Sequence, residues 1–221
     1  MRLERDGDVA VLTMERGENR FNPDHLDELE VALDEVGAMD GHPALVLAGD
    51  GKFFSLGLDL EWMGSTEPND AKAMVERTMG LLARILTAPF GTVAAVNGHA
   101  FGAGLMAALA CDMRVMREDR GYLCFPVVDV DLVFLPGMSA LIQGRLTPQA
   151  AHEMMLTGGR FGGADALRLG AVDELADDEA LLAAARERAA TLAGRNPDTV
   201  SGIKSRLYEP IVELLRQPIA A

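Results

Sequence analysis

The sequence predicts an α/β fold in one domain, because strand and helix signals alternate along a chain of 221 residues. Short, continuous apolar runs at 44–48 and 92–96 are typical of strands that are buried on both faces. Apolar residues at helical spacing occur at 23–36 and 70–86. This length supports one hydrophobic core, so we expect a single domain over 1–221.

The N-terminal elements have clear local signals. Asp6-Gly7-Asp8 between two alternating runs predicts a hairpin of two short strands over residues 3–14. Asn22 and Pro23 supply an N-cap and a first-turn proline for an amphipathic helix. The run at 44–48 predicts a buried strand, and a second helix follows at 70–86 and ends before Pro89.

The second half begins with a predicted buried strand at 92–96, a turn at 97–104 and a small-residue helix at 105–110. A strand is expected at 112–116, and the chain becomes mostly helical after Pro136. We divide the domain into a core with the first C-terminal helices at 1–193 and a last helical segment at 194–221. The apolar face of its helix, at about 197–216, packs either on its own core or on a neighbouring subunit.

Composition excludes several classes of function. The formal net charge of −14, with no run of Lys or Arg, argues against nucleic acid as a partner. Cys111 and Cys124 lie in apolar stretches and indicate buried thiols in a reducing compartment. The charged N-terminus does not resemble a secretion signal, and Asn97 to Gly104 interrupt the longest apolar stretch, so we expect a cytoplasmic protein without a membrane span.

Common cofactor and nucleophile motifs are missing from the sequence. The four histidines are scattered, and His152-Glu153 lacks the second histidine of a zinc helix, so we expect no metal. The glycines do not form a phosphate loop or a GxGxxG dinucleotide turn. Ser55 and Ser139 do not lie in the GxSxG pattern of a nucleophilic serine.

Two glycine-containing turns remain, at 51–60 and 97–104, and each follows a buried strand. One interpretation is that they are only tight connections. The other is that backbone N–H groups of both turns converge on one ligand oxygen, because small residues allow the backbone to approach closely.

The amino-acid sequences of these turns resemble those of the crotonase (enoyl-CoA hydratase/isomerase) superfamily. The resemblance rests on FSLGLDL at 54–60 and AAVNGHAFGAG at 94–104, followed by ACD at 110–112. It extends over nearly the whole chain through NRFN at 19–22, FP at 125–126, LPG at 135–137, LTGG at 156–159 and GAVDE at 170–174. The segment MREDRGYL at 116–123 looks most like the plant-type delta-3, delta-2-enoyl-CoA isomerases.

This resemblance implies a ββα spiral with a helical C-terminal region, assembled as a trimer or a dimer of trimers. It implies an acyl-CoA or enoyl-CoA substrate of fatty acid metabolism, with no cofactor other than the CoA that enters with the substrate. It also implies that the backbone N–H groups of Leu56 and Ala103 form an oxyanion hole for the thioester carbonyl. Such donors stabilise an enolate.

The same resemblance implies which residues line the CoA thioester. Arg20, the segment from Ser55 through Gly57, Leu58 and Asp59 to Leu60, and Phe101 are the expected lining residues. From the residues themselves, we expect Asp59 to cap the short helical turn that begins at Leu60 rather than to take part in chemistry.

The chain departs from the family at both proton-transferring glutamates, which are replaced by Met106 and Val127. Neither side chain carries a proton, so hydration is not expected. We predict Asp131 as the replacement base, with Asp129, His99 and Glu61 as alternatives. Three functions therefore stay open: an enoyl-CoA isomerase, a non-catalytic acyl-CoA-binding protein, and other enolate chemistry on a CoA thioester such as hydrolysis, decarboxylation or dehalogenation.

Overall fold

A computed structural model describes residues 1–219 of the chain. Its largest sheet has six strands in the order β1-β2-β4-β7-β9-β11. Its β1 and β2 are antiparallel, and the remaining neighbours are parallel. The strands are β1 (Arg2–Asp6), β2 (Val9–Met14), β3 (Arg20–Phe21), β4 (Ala44–Gly49), β5 (Phe53–Ser55), β6 (Gly57–Leu58), β7 (Thr92–Val96), β8 (His99–Phe101), β9 (Met113–Arg117), β10 (Leu123–Cys124) and β11 (Glu174–Ala176).

The helices account for most of the remaining chain. They are α1 (Pro23–Ala38), α2 (Leu60–Ser65), α3 (Pro68–Leu86), α4 (Ala103–Ala110), α5 (Pro136–Arg145), α6 (Pro148–Thr157), α7 (Gly163–Arg168), α8 (Leu181–Ala190) and α9 (Pro197–Leu215). A 3-10 turn covers Val128–Val130. The predicted hairpin and the predicted strands and long helices in residues 3–96 are confirmed, with boundaries that differ by at most two residues.

Local signals explain why these elements begin where they do. The Asn22 side chain accepts a hydrogen bond from the His25 N–H at 3.1 Å, and Pro23 occupies the first turn of α1. Asp59 accepts a hydrogen bond from the Trp62 N–H at 3.1 Å and caps α2. The cap predicted at Asp59 is therefore confirmed.

The large sheet separates two hydrophobic cores. On one face, Val11, Val46 and Val93 pack with Leu181 and Ala185 of α8. The larger core contains α1, α3, α4 and α5 together with the alternate residues of the same strands. Central parallel strands that are covered on both faces explain the continuous apolar runs in the sequence.

Two small sheets lie beside the large one, and the sequence did not predict them. Strands β10, β8 and β5 form a parallel three-stranded sheet, and β3 pairs with β6. The segment 97–104, predicted as a turn, therefore contains the strand β8, and the segment 51–60 contains β5 and β6. These strands are two or three residues long, so they show too little alternation to be recognised without their partners.

The C-terminal helix α9 packs on α5 and α3 of its own chain. Lys204, whose side chain is 10% exposed, bonds Asp112 at 2.6 Å and the Phe90 carbonyl at 2.8 Å. The helix α9 thus packs on its own core, which is one of the two expected arrangements. Its outer face still exposes Ile203 and Leu207.

No helix within residues 1–219 combines the length and the apolarity needed to cross a membrane. The same residues contain no group of three or more His, Cys, Asp or Glu side chains placed to hold a metal ion.

Candidate active site

A cavity of about 270 Å³ lies where the small strands meet the N-terminus of α4, and we call it the apolar cavity. All fifteen of its lining residues are apolar, and the described part of the chain contributes no ionisable side chain to this lining. The lining residues are Leu56, Leu58, Leu60, Met63, Val75, Gly102, Ala103, Met106, Pro126, Val127, Val130, Leu132, Val133, Leu135 and Met138.

The two glycine turns do meet at this cavity, but the Leu56 N–H is not available there. It donates a hydrogen bond to the Glu18 carbonyl at 3.0 Å. This bond corrects the assignment of Leu56 as an oxyanion donor, because an N–H group that is bonded within the chain cannot also serve a ligand oxygen. Its side chain still lines the apolar cavity.

The N–H of Leu58, two residues further on, has a different direction. The Asp59 N–H donates to the Phe21 carbonyl of β3 at 3.0 Å. Successive residues of a strand present their N–H groups to opposite sides, so the Leu58 N–H faces away from β3. Leu58 also lines the apolar cavity.

Ala103 is the first residue of α4 and lines the same cavity. The first N–H groups of a helix have no acceptor within it and carry the positive end of the helix dipole. Gly57 brings the strand close to this helix terminus. A Cβ atom on Gly57 would lie only 2.8 Å from the Ala103 nitrogen, and the residue has a φ of +80°.

Met106 and Val127, which the family resemblance places at the positions of the two glutamates, both line the apolar cavity. Met106 is 1% exposed and lies one helical turn after Ala103. Val127 is half-buried and directly precedes the 3-10 turn. Their side chains make this part of the cavity apolar and incapable of proton transfer.

Asp131 lies just outside the apolar cavity, between the lining residues Val130 and Leu132. It ends the 3-10 turn in a left-handed conformation, with a φ of +54°, and its side chain is exposed. Asp129 is also exposed and lies against Gly158. The structure therefore does not bring either carboxylate into the cavity lining.

Three residues predicted to contact CoA have roles within the chain. Arg20 lies on β3 and forms an ion pair with Glu18 at 2.6 Å. The buried Ser55 hydroxyl donates to the Asn19 carbonyl at 2.7 Å and accepts from the Gly57 N–H at 3.1 Å. These bonds join β5 to the segment before β3 and position the turn that carries Leu58.

The remaining residues that were predicted to bind the substrate or act as a base lie on two different surfaces. Leu60 is exposed and lies at the rim of the apolar cavity, next to the exposed Glu61, which does not line it. Phe101 lies outside the cavity, on the face of the three-stranded sheet that also carries His99, with 5.4 Å between the ring centroids. Burial lowers the pKa of His99, and Lys52 and Arg160 lower it further.

The sequence did not identify the lining residues from α3 and α5, which include Val75 and Met138. Helical spacing shows that such side chains face inward, but a side chain that faces a cavity has the same spacing as one that faces a filled core.

A match to the family described as enoyl-CoA hydratase/isomerase covers residues 4–220. Enoyl-CoA delta isomerase 2, peroxisomal, of Arabidopsis thaliana is 34% identical over 96% of this chain and 94% of its own length. A probable enoyl-CoA hydratase of Bacillus subtilis is 33% identical over 93% of this chain and 81% of its own length.

Solved structures have the same fold. A probable enoyl-CoA hydratase of Mycobacterium tuberculosis superposes with a TM-score of 0.91 at 28% identity, and the match covers 98% of this chain and 92% of that one. Human mitochondrial delta3-delta2-enoyl-CoA isomerase gives a TM-score of 0.89 at 22% identity, over 96% and 84% of the two chains. These likenesses confirm the predicted α/β crotonase-like fold. With the family match over nearly all of its length, this chain belongs to the enoyl-CoA hydratase/isomerase family.

Proposed function

We propose that this protein binds an acyl-CoA thioester with its carbonyl oxygen between the N–H groups of Leu58 and Ala103, and shifts a double bond from the 3 to the 2 position. The observation that carries the proposal is the meeting of these two backbone segments beside an apolar cavity. The isomerase names of the Arabidopsis relatives support the reaction.

The chemistry follows from the two donors. Removal of a proton from C2 of a 3-enoyl thioester moves negative charge onto the carbonyl oxygen, where fixed N–H groups stabilise it. Loss of one such donor typically costs about 2.7–4 kcal/mol of transition-state stabilisation. Return of the proton to C4 places the double bond in conjugation with the carbonyl.

Asp131 remains our proposed base. Its neighbours Val130 and Leu132 line the apolar cavity, so a local rotation of this segment would turn the carboxylate from the surface towards a bound acyl group. The left-handed backbone of Asp131 is a conformation that aspartate adopts more readily than most residues.

The second candidate is an acyl-CoA-binding protein without turnover. It is favoured by the wholly apolar lining, which includes Met106 and Val127, the residues expected from the resemblance at the positions of the family glutamates. Such a protein would retain the donors and the apolar cavity but have no group to move the proton.

The deciding experiment mixes the protein with 3-hexenoyl-CoA and follows the conjugated 2-enoyl product by ultraviolet absorbance. We expect turnover that Asp131→Asn lowers by at least about 100-fold, as is typical of a lost general base. Asp129→Asn is the matched control, because it removes an exposed carboxylate of the same 3-10 turn.

The outcomes separate the candidates. Equal loss in both aspartate variants would reject Asp131 as the specific base. Micromolar binding of hexanoyl-CoA without any turnover of the 3-enoyl thioester would reject the isomerase and support the binding protein.

We further propose a homotrimer or dimer of trimers and a cytoplasmic location, although the Arabidopsis relative is named peroxisomal.

A further inference from the structure

His25 is a fully buried residue in the first turn of α1, and the proposed reaction does not use it. Its Nδ1 atom lies 2.9 Å from the Arg20 carbonyl oxygen. A carbonyl oxygen only accepts hydrogen bonds, so Nδ1 carries a hydrogen and donates this bond. The Nε2 atom is buried and has no hydrogen-bond partner within residues 1–219. Burial lowers the pKa of His25, so the ring is neutral at neutral pH.

The Arg20 carbonyl belongs to β3, which pairs with β6 so that Phe21 lies opposite Leu58. The Phe21 carbonyl faces β6, where it accepts a hydrogen bond from the Asp59 N–H at 3.0 Å. Successive residues of a strand direct their carbonyl groups to opposite sides, so the Arg20 carbonyl faces away from β6 and towards α1. His25 thus bonds the edge of β3 that β6 does not use.

The start of α1 is attached to the same strands at further points. The Asn22 side chain accepts a hydrogen bond from the His25 N–H at 3.1 Å and donates one to the Asp59 carboxylate at 3.0 Å. The rings of His25 and Phe21 are in contact, with 5.8 Å between their centroids. Because β3 has only two residues, its own ladder contains few bonds, and its position depends strongly on these contacts with α1.

We propose that His25 is a positioning residue of the site, whose Nδ1–H holds β3 in the place from which β6 presents the Leu58 N–H to the thioester oxygen. This inference rests on the proposed function, because it assumes that the Leu58 N–H is an oxyanion donor. A misplacement of about 1 Å at a reacting centre can lower a rate by about 100-fold, so a shift of this strand has a measurable effect.

Two substitutions of His25 separate positioning from stability. His25→Asn places an amide nitrogen near the position of Nδ1 and keeps the bond to the Arg20 carbonyl. It fills less space than the ring and brings an amide oxygen without a donor into the core, so it is destabilising. His25→Leu keeps the apolar bulk but removes the bond. Since Nε2 has no partner, its loss leaves no further group unsatisfied.

The two variants should therefore rank in opposite order for activity and for stability. With 3-hexenoyl-CoA, we expect His25→Leu to lower kcat by at least about tenfold with little change in KM, because an oxyanion donor acts mainly in the transition state. His25→Asn should stay within about threefold of the unmodified kcat. Its melting temperature should nevertheless be lower than that of His25→Leu.

Hydrogen exchange of the Asp59 N–H tests the same inference without a ligand. This group bonds the Phe21 carbonyl, so its exchange rate reports the pairing of β3 with β6. We expect His25→Leu to raise this rate by at least about tenfold, which corresponds to the loss of one hydrogen bond. His25→Asn should leave the rate close to that of the unmodified protein.

Leu33→Ala is the control for a general weakening of α1. Leu33 is buried on the same helix, about two turns after His25. As a large-to-small core substitution, it should lower the melting temperature without changing kcat.

Two results would overturn the inference. One is an unchanged Asp59 exchange rate in His25→Leu. The other is a loss of kcat that follows the melting temperature across the three variants, since a merely structural role predicts that order. If the unmodified protein does not convert 3-hexenoyl-CoA, the proposed function itself fails and the role of His25 fails with it.

Discussion

Gly57 allows the two backbone segments of the proposed site to lie close together because it has no side chain. Its φ of +80° is a conformation that other residues rarely adopt, and a Cβ atom would approach both the Ala103 nitrogen and the Phe101 carbonyl oxygen to 2.8 Å. A side chain here would push the β6 turn away from α4. The short distance between the Leu58 and Ala103 backbone segments thus depends on the absence of a side chain at Gly57.

We therefore predict that Gly57→Ala lowers the affinity for hexanoyl-CoA by at least about tenfold and the free energy of unfolding by more than about 2 kcal/mol. Titration calorimetry and urea unfolding measure the two effects. Gly51→Ala is the control, because Gly51 has a similar φ of +66° but no atom within 4 Å of the Cβ position. Gly51→Ala should lose about 1–2 kcal/mol of stability and no affinity. Equal affinity losses would contradict the prediction.

At the scale of elements, α9 is joined to the core by a charged side chain as well as by apolar packing. Lys204 reaches Asp112, which also accepts hydrogen bonds from the Thr92 N–H at 2.8 Å and its hydroxyl at 3.1 Å. Asp112 thus connects the start of β7 to α9. Removing the ammonium group would leave the carboxylate largely buried without its counter-ion.

Lys204→Met should consequently lower the free energy of unfolding by about 3 kcal/mol, measured by urea denaturation. Partial release of α9 should also make this helix more sensitive to trypsin. Arg206→Met, on the exposed face of the same helix, is expected to change stability by less than about 0.5 kcal/mol. A similar loss in both variants would show that the Lys204 ion pair is not what secures α9.

On the scale of the whole molecule, the outer face of α9 remains exposed after the helix has packed. Ile203 and Leu207 lie one turn apart on this face and are 61% and 64% exposed. A contiguous exposed apolar surface is one mark of a subunit contact. The oligomer that the family resemblance implies would cover such a surface.

We expect light scattering to give a mass of three or six times that of the chain at micromolar concentration. The double substitution Ile203→Glu with Leu207→Glu should reduce this mass to that of one chain if α9 forms the contact. Val31→Glu, at another exposed apolar position, on α1, serves as the control and should leave the mass unchanged. A monomeric mass for the unmodified protein would reject the oligomer.

The elements with local signals were predictable from the sequence. The Asp6-Gly7-Asp8 turn, the Asn22 cap of α1 and the spacing of α3 and α9 each depend on residues within a few positions, and the structure has these elements. The family was also recognisable, because its motifs are short segments that follow one another in the expected order along the chain. In each case the information lies in contiguous residues.

The free backbone groups and the surroundings of the apolar cavity could not be predicted in this way and depend on the folded chain. The Leu56 N–H is bonded to Glu18, 38 positions earlier, which is why the proposed site uses the N–H of Leu58 instead. The strand β8 exists through pairing with β5 and β10, and the cavity is completed by α3, α5 and the 3-10 turn. These features depend on contacts between distant segments, which hydrophobic spacing within one segment does not encode.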